Sequence, residues 1–249
     1  MSNPFFLNRL ASEPHALAFA GQSTPWPVAL ADETANPVLD EQLHAHVRQA
    51  QNLLYPVSAD LLATTGRPVD LFGFTPNPAK LGAAANASAS VPGIALAQLG
   101  ALIDAEELGY NPAEAKPVAV LGHSQGILAV HMVQAIREAG SVEAAAPSID
   151  EILAIASLIG IAGTRQARQL GLAARHGDAT PMLSVKDITR AQVDALIERV
   201  DGARGPIAVA VTNSATHYVL SGYPEDLAAF GVEVAKEHKR QAKLREEKV

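Results

Sequence analysis

The sequence predicts an α/β fold in two parts: a parallel-sheet core over residues 1–179 and a smaller subdomain over 180–240, with 241–249 as a charged tail. Three observations predict it. The aliphatic run Pro117–Leu121 (PVAVL) passes through GHSQG at 122–126 into a long apolar run, the pattern of a buried strand turning into a helix. After residue 180 the apolar patterning follows the order β-α-β-β-α. The chain is 48% hydrophobic but only 4% aromatic, so its core is built from Ala, Val, Leu and Ile, as is typical of α/β proteins.

The 249 residues suffice to bury a full core, and the apolar fraction excludes a largely disordered chain. The absence of cysteine excludes disulfides, thiolate metal sites and a cysteine nucleophile. The net charge of −7 argues against a nucleic-acid partner, which needs a basic stripe. No uninterrupted apolar run reaches the roughly 20 residues that span a bilayer. MSNPFFLNRL lacks the long apolar core of a signal peptide. The expected setting is cytoplasmic, with neither nucleic acid nor membrane as partner.

Residues 16–20 (ALAFA), closed by Gly21, read as a buried strand entering the loop GQSTPWP. Leu43, Val47 and Leu54 predict a helix over 40–55. Pro56, Pro68, Pro76 and Pro78 break the next stretch into loop and short helix. A buried helix is expected over about 92–108 with Pro92 near its first turn, followed by a loop marked by Asn111, Pro112 and Pro117. The run ILAVHMVQAIREA, apolar nearly all round, predicts a buried helix ending at Gly140, and 149–163 predicts another with Asp150 and Glu151 in its first turn.

In the second part, 182–185 and 189–200 read as a strand and an amphipathic helix. Residues 207–212 and 218–222 read as strands, and a helix starts at Pro224. This order matches most of a ferredoxin-like subdomain. The charge run over 236–249 reads as a solvated helix end or linker.

Strand, then Gly-His-Ser-Gln-Gly, then helix is the context that gives G-x-S-x-G a chemical meaning. Ser124 is expected on a tight turn, its hydroxyl pushed out beyond the sheet. Gly122 and Gly126 let strand and helix approach closely. The helix start aims free N–H groups at a reacting carbonyl, so the backbone N–H of Gln125 is a candidate oxyanion donor. A serine also needs a base. The sequence offers eight histidines and singles out none. His123 lies within the motif, with its side chain expected to point away from that of Ser124. His131 reads as a core histidine, and His44 and His46 as solvated helix residues.

AFAGQST (18–24), GHSQG (122–126) and the segment containing VTNSATHYVLSG (211–222) occur here in the order found in malonyl/acetyl-CoA:acyl-carrier-protein transacylases, and the chain resembles that family. SVPGIALAQLGAL and LIGIAGT add to a likeness to the N-terminal acetyltransferase domain of actinobacterial type I fatty acid synthases. The resemblance implies an α/β hydrolase-like parallel-sheet core with a nucleophile elbow plus a ferredoxin-like subdomain. It implies an acyl-enzyme at Ser124, a second oxyanion N–H from Gln22, and substrate-binding positions at His123, Ile159 and Asn213. Acetyl-CoA would be the substrate and a carrier-protein phosphopantetheine the acceptor, with no permanently bound cofactor. The partners implied are an acyl carrier protein and the other domains of a large homo-oligomeric synthase.

The sequence departs from the family twice. Malonyl-transferring members carry an arginine on the helix after the nucleophile helix, and aligning EILAIASLIG there places Ile159 at its position. Isoleucine cannot make the bidentate pair with a free carboxylate, so an uncharged acyl group, acetyl first, is expected. The alternative alignment gives the role to Arg165. Secondly, the family's catalytic histidine follows the ferredoxin-like subdomain, and no such segment precedes Val249. The expectation is a C-terminally truncated fragment, nearly inactive by itself, with its base beyond Val249. Two other readings stand beside this one. An esterase or thioesterase of the α/β-hydrolase type would need an HGGG-type loop, which is absent from the sequence. A non-catalytic scaffold fragment of a multienzyme would need no base.

Overall fold

The computed structural model describes residues 10, 12–21, 26–65, 87–169, 182–200 and 205–246. The chain divides into two compact units, residues 1–163 and 164–249.

In the first unit, strands β1 (Ala16–Phe19) and β2 (Ala119–Gly122) pair in parallel, with Ala16 opposite Ala119 and Phe19 opposite Gly122. The two strands therefore end level with each other, and the loops that follow them leave from one edge. The helices are α1 (Trp26–Glu33), α2 (Pro37–Thr65), α3 (Ala87–Glu107), the short α4 (Pro112–Ala115), α5 (Ile127–Ala139) and α6 (Val142–Gln169). At the centre is α3, in which every residue from 90 to 100 is buried. Its Ile94 and Leu99 pack in one core with Leu30, Leu43, Met132, Ile136, Ile149 and Leu153.

Several helices begin earlier or run further than the prolines imply. Where a loop was expected, α1 forms and buries Trp26 and Leu30. Helix α2 continues past Pro56 to Thr65, and α3 starts at Ala87 with Pro92 inside it. The short α4 is capped by Asn111, whose side chain accepts the Ala113 N–H at 2.8 Å, with Pro112 at its first position. Helix α6 starts seven positions before the expected 149. The Glu106 carboxylate accepts the Val142 N–H at 3.1 Å, and Ser141 Oγ accepts that of Ala144 at 3.1 Å. Over Val142–Gly163 this helix is long and apolar enough to cross a membrane by composition. One face of it packs in the core, with Ile149, Leu153 and Ala156 fully buried, while Ile155 and Ile159 are exposed.

Two histidine readings are corrected. Helix α5 buries one face only (Leu128, Ala129, Met132, Val133, Ile136), and His131 lies exposed on the other. Its Gly140 cap is as expected, at φ 96°. His46 is not solvated: its Nδ1 meets Asp150 Oδ1 at 2.6 Å, joining α2 to α6. Burial pushes the Asp150 carboxyl above its ordinary range, with the His46 contact opposing. Glu33 is shifted further. Its carboxyl lies where a Cβ on Gly100 would stand. Burial first, then the charges of Asp104 and Asp32, push it up to about 8.

In the second unit, β3 (Met182–Lys186), β4 (Ala208–Ser214) and β5 (His217–Ser221) form an antiparallel sheet in the order β3-β5-β4, with α7 (Arg190–Val200) and α8 (Pro224–Glu246). The third strand in sequence inserts between the first two, as in a ferredoxin-like sheet. Val185, Val193, Leu196, Leu220 and Phe230 make a separate small core. The expected charge run continues α8 as far as Glu246. Within it, Arg240 and then Gln241 hold the Glu237 carboxyl down at about 2.

Candidate active site

The end of β2 carries the candidate nucleophile. His123 is extended (φ −95°, ψ 126°), and its N–H donates to Phe19 O at 2.9 Å, which prolongs the β1–β2 pairing to the apex of the turn. Ser124 then adopts φ 54°, a left-handed conformation that costs a non-glycine residue about 1–3 kcal/mol. The Gly126 N–H returns to His123 O at 2.9 Å and closes a single 3-10 turn over Ser124–Gly126. Ser124 is exposed. A strained, exposed serine between a parallel strand and a helix is the geometry of a nucleophile elbow.

The glycines are required by close approach. A Cβ on Gly122 would lie 2.5 Å from the Gly126 carbonyl carbon, and one on Gly126 would collide with the carbonyl oxygen of Phe19. The loop leaving β1 packs on the same turn. A Cβ on Gly21 would stand 2.7 Å from His123 O, 2.8 Å from Ser124 Cβ and 3.3 Å from Gln125 N. The Gln125 N–H sits where no carbonyl of its own helix can reach it, the position an oxyanion donor needs.

Ser124, His123 and Gln125 thus come together with Gly21. Gln22 lies outside the described residues. Ile159 is on α6 and 51% exposed, and Arg165 is exposed further along the same helix. Asn213 is exposed on β4 of the second unit, with Nδ2 3.4 Å from His217 Nε2; Ser184 Oγ meets that same nitrogen at 3.0 Å. Among the described residues, no hydrogen bond joins a histidine ring to Ser124. His15 is engaged by Tyr110 Oη at 2.6 Å, His44 by Asp40, and His46 by Asp150.

One residue at the site carries no motif. Gln98 of α3 is buried, and its Nε2 donates to the carbonyl of Ala20 at 2.7 Å, immediately before Gly21. The signal available in the sequence is a single amide within the apolar run GIALAQLGAL.

The fold and the turn define an α/β protein built around a serine nucleophile elbow. The chain belongs to the family described as the starter unit:ACP transacylase in aflatoxin biosynthesis, whose model matches residues 77–247. It is 31% identical over 128 residues to the fatty acid synthase beta subunit hexB of Dothistroma septosporum, a match that covers 46% of this chain and 7% of that subunit. Among solved structures it is similar to the malonyl CoA-acyl carrier protein transacylase of Coxiella burnetii, with a TM-score of 0.53 and 18% identity over 90% of this chain. A malonyl-transacylase solved in complex with a type II PKS acyl-carrier protein gives a TM-score of 0.50 and 17% identity, again over 90% of this chain. The chain spans 58% and 60% of those two proteins. These likenesses bear out the α/β fold.

Proposed function

We propose that this chain carries the acyl-transfer centre of a fatty acid or polyketide synthase. In this reading Ser124 takes an acyl group from a coenzyme A thioester and gives it to the phosphopantetheine thiol of an acyl carrier protein. The observation that carries the reading is Ser124 at φ 54° on an exposed turn, with Gly21 and the Gln125 amide packed around it. Membership of a transacylase family over residues 77–247 supports transfer over simple hydrolysis, because the match runs through both units.

Ser124 Oγ attacks the thioester carbonyl carbon and its proton passes to a base. The oxygen that becomes negative takes the Gln125 N–H, with Gln22 supplying the second donor. Loss of one such donor typically costs about 10²–10³ in rate. The C–S bond then breaks, the leaving thiolate takes the proton, and coenzyme A departs. The carrier thiol repeats the attack on the serine ester and frees Ser124. No resident cofactor takes part. The base belongs to the histidine type and lies outside the described surroundings of Ser124. The acyl group is uncharged, acetyl first, since Ile159 offers a carboxylate no partner. The carrier protein and the remaining domains of a synthase are the partners.

Acyl fate tests the reading. Given labelled acetyl-CoA, the full-length polypeptide should move label onto holo carrier protein faster than into free acetate. Release to water alone, with no labelled carrier, would favour a thioesterase.

A further inference from the structure

We infer that Gln98 is a positioning residue for the oxyanion side of the Ser124 centre, an inference that rests on the acyl-transfer reading above. Helix α3 touches the β1 loop on both sides of residues 22–25. Upstream, Gln98 Nε2 donates to Ala20 O at 2.7 Å. Downstream, Gly93 lies so close to the Trp26 indole that a Cβ there would stand 2.6 Å from the ring carbons. Both contacts come from the fully buried stretch of α3 in this unit's core.

The orientation of the Gln98 amide follows from its partner. A carbonyl oxygen accepts only, so the nitrogen must face Ala20. That leaves Gln98 Oε1 buried with no hydrogen-bond partner. Leu or Met would fill the same space in this apolar helix without an orphaned acceptor. The amide therefore serves its donor, and the donor fixes one peptide group. The next residue is Gly21, whose backbone rests on His123 O, Ser124 Cβ and Gln125 N. Holding Ala20 O sets the depth at which Gly21 seats on the elbow, and with it the start of the segment assigned the second oxyanion donor. Gln98 acts through that backbone and touches no reacting atom.

The test is single-turnover acylation of Ser124 by acetyl-CoA in the full-length polypeptide, followed by intact mass for wild type, Gln98→Met and Gln98→Glu. Gln98→Met keeps the volume and removes the donor. The acylation rate should fall on the order of 10²-fold, the usual penalty for a reacting group misplaced by about 1 Å, with half-saturation by acetyl-CoA changed less than about twofold. Gln98→Glu regains a donor only when its carboxyl is protonated. Its rate relative to wild type should therefore climb as pH is lowered, a pH signature that loss of packing alone would not produce. A Gln98→Met rate within about twofold of wild type, or a flat Gln98→Glu ratio across pH, would overturn the inference while leaving the acyl-transfer reading intact. A wild-type protein that never acylates Ser124 would overturn both. Should Gln98→Met fail to fold, the Gln98→Glu profile decides alone.

Discussion

Gly21 is seated directly on Ser124: a methyl group at Gly21 would come within 2.8 Å of the serine Cβ. The loop after β1 and the turn after β2 are therefore one assembly, joined through the Phe19–Gly122 register and the His123-to-Phe19 hydrogen bond. What moves one loop moves the turn that carries Ser124.

Gly21→Ala should accordingly act on catalysis more than on folding. The added carbon meets the His123 carbonyl at 2.7 Å and must push the β1 loop off the elbow. A loss of about 10²–10³ in the rate of Ser124 acylation is expected, equivalent to removing one oxyanion donor. Circular dichroism should remain that of wild type. An unchanged acylation rate would mean that the loop does not serve the nucleophile.

Gly126→Ala should act on folding. Its Cβ would fall on the Phe19 carbonyl, a backbone atom held in the sheet that cannot rotate away. Overpacking of this kind costs about 1–3 kcal/mol. Urea denaturation should show a lower midpoint.

Glu33 makes the first unit sensitive to alkali. Its carboxyl is raised from 4.5 to about 8 by burial, Asp104 and Asp32, so the folded state binds more protons than the unfolded state between those values. Stability from this group is fully present below about pH 4.5 and is lost progressively as pH rises through 8. Glu33→Gln should flatten that slope, with its largest gain in melting temperature at pH 8–9. Parallel wild-type and variant melting curves between pH 5 and 9 would contradict this assignment.

On the proposed acyl-transfer reading, acyl choice should follow the side chain at 159. Ile159→Arg places a guanidinium where the family resemblance puts the carboxylate partner of malonate. It should raise malonyl relative to acetyl loading by about tenfold or more, as a charge-assisted bidentate pair allows. Competition between the two coenzyme A esters, read by mass on Ser124, gives the ratio. If the ratio stays fixed, Ile159 is not a selectivity position.

The elbow was legible because each of its parts is local: an aliphatic strand, two glycines where Cβ atoms cannot fit, and a helix directly after. The β-α-β-β-α order was legible for the same reason. Helix boundaries were not, because Pro92 and Pro147 lie inside helices whose burial outweighs the lost hydrogen bonds. Side-chain partners were least legible. His46 finds Asp150 across 104 positions and Gln98 finds Ala20 across 78, separations that leave no periodic trace. His131 misled in the opposite direction. An apolar run implied burial all round, whereas α5 packs one face only and leaves Ile127 and His131 outside.

The most direct measurement is the intact mass of the full-length polypeptide after brief exposure to acetyl-CoA, followed by peptide mapping. The expected result is one acetyl group, located on Ser124, absent from Ser124→Ala and discharged by added pantetheine. An acetyl group found elsewhere, or retained by Ser124→Ala, would contradict Ser124 as the residue that carries the acyl group.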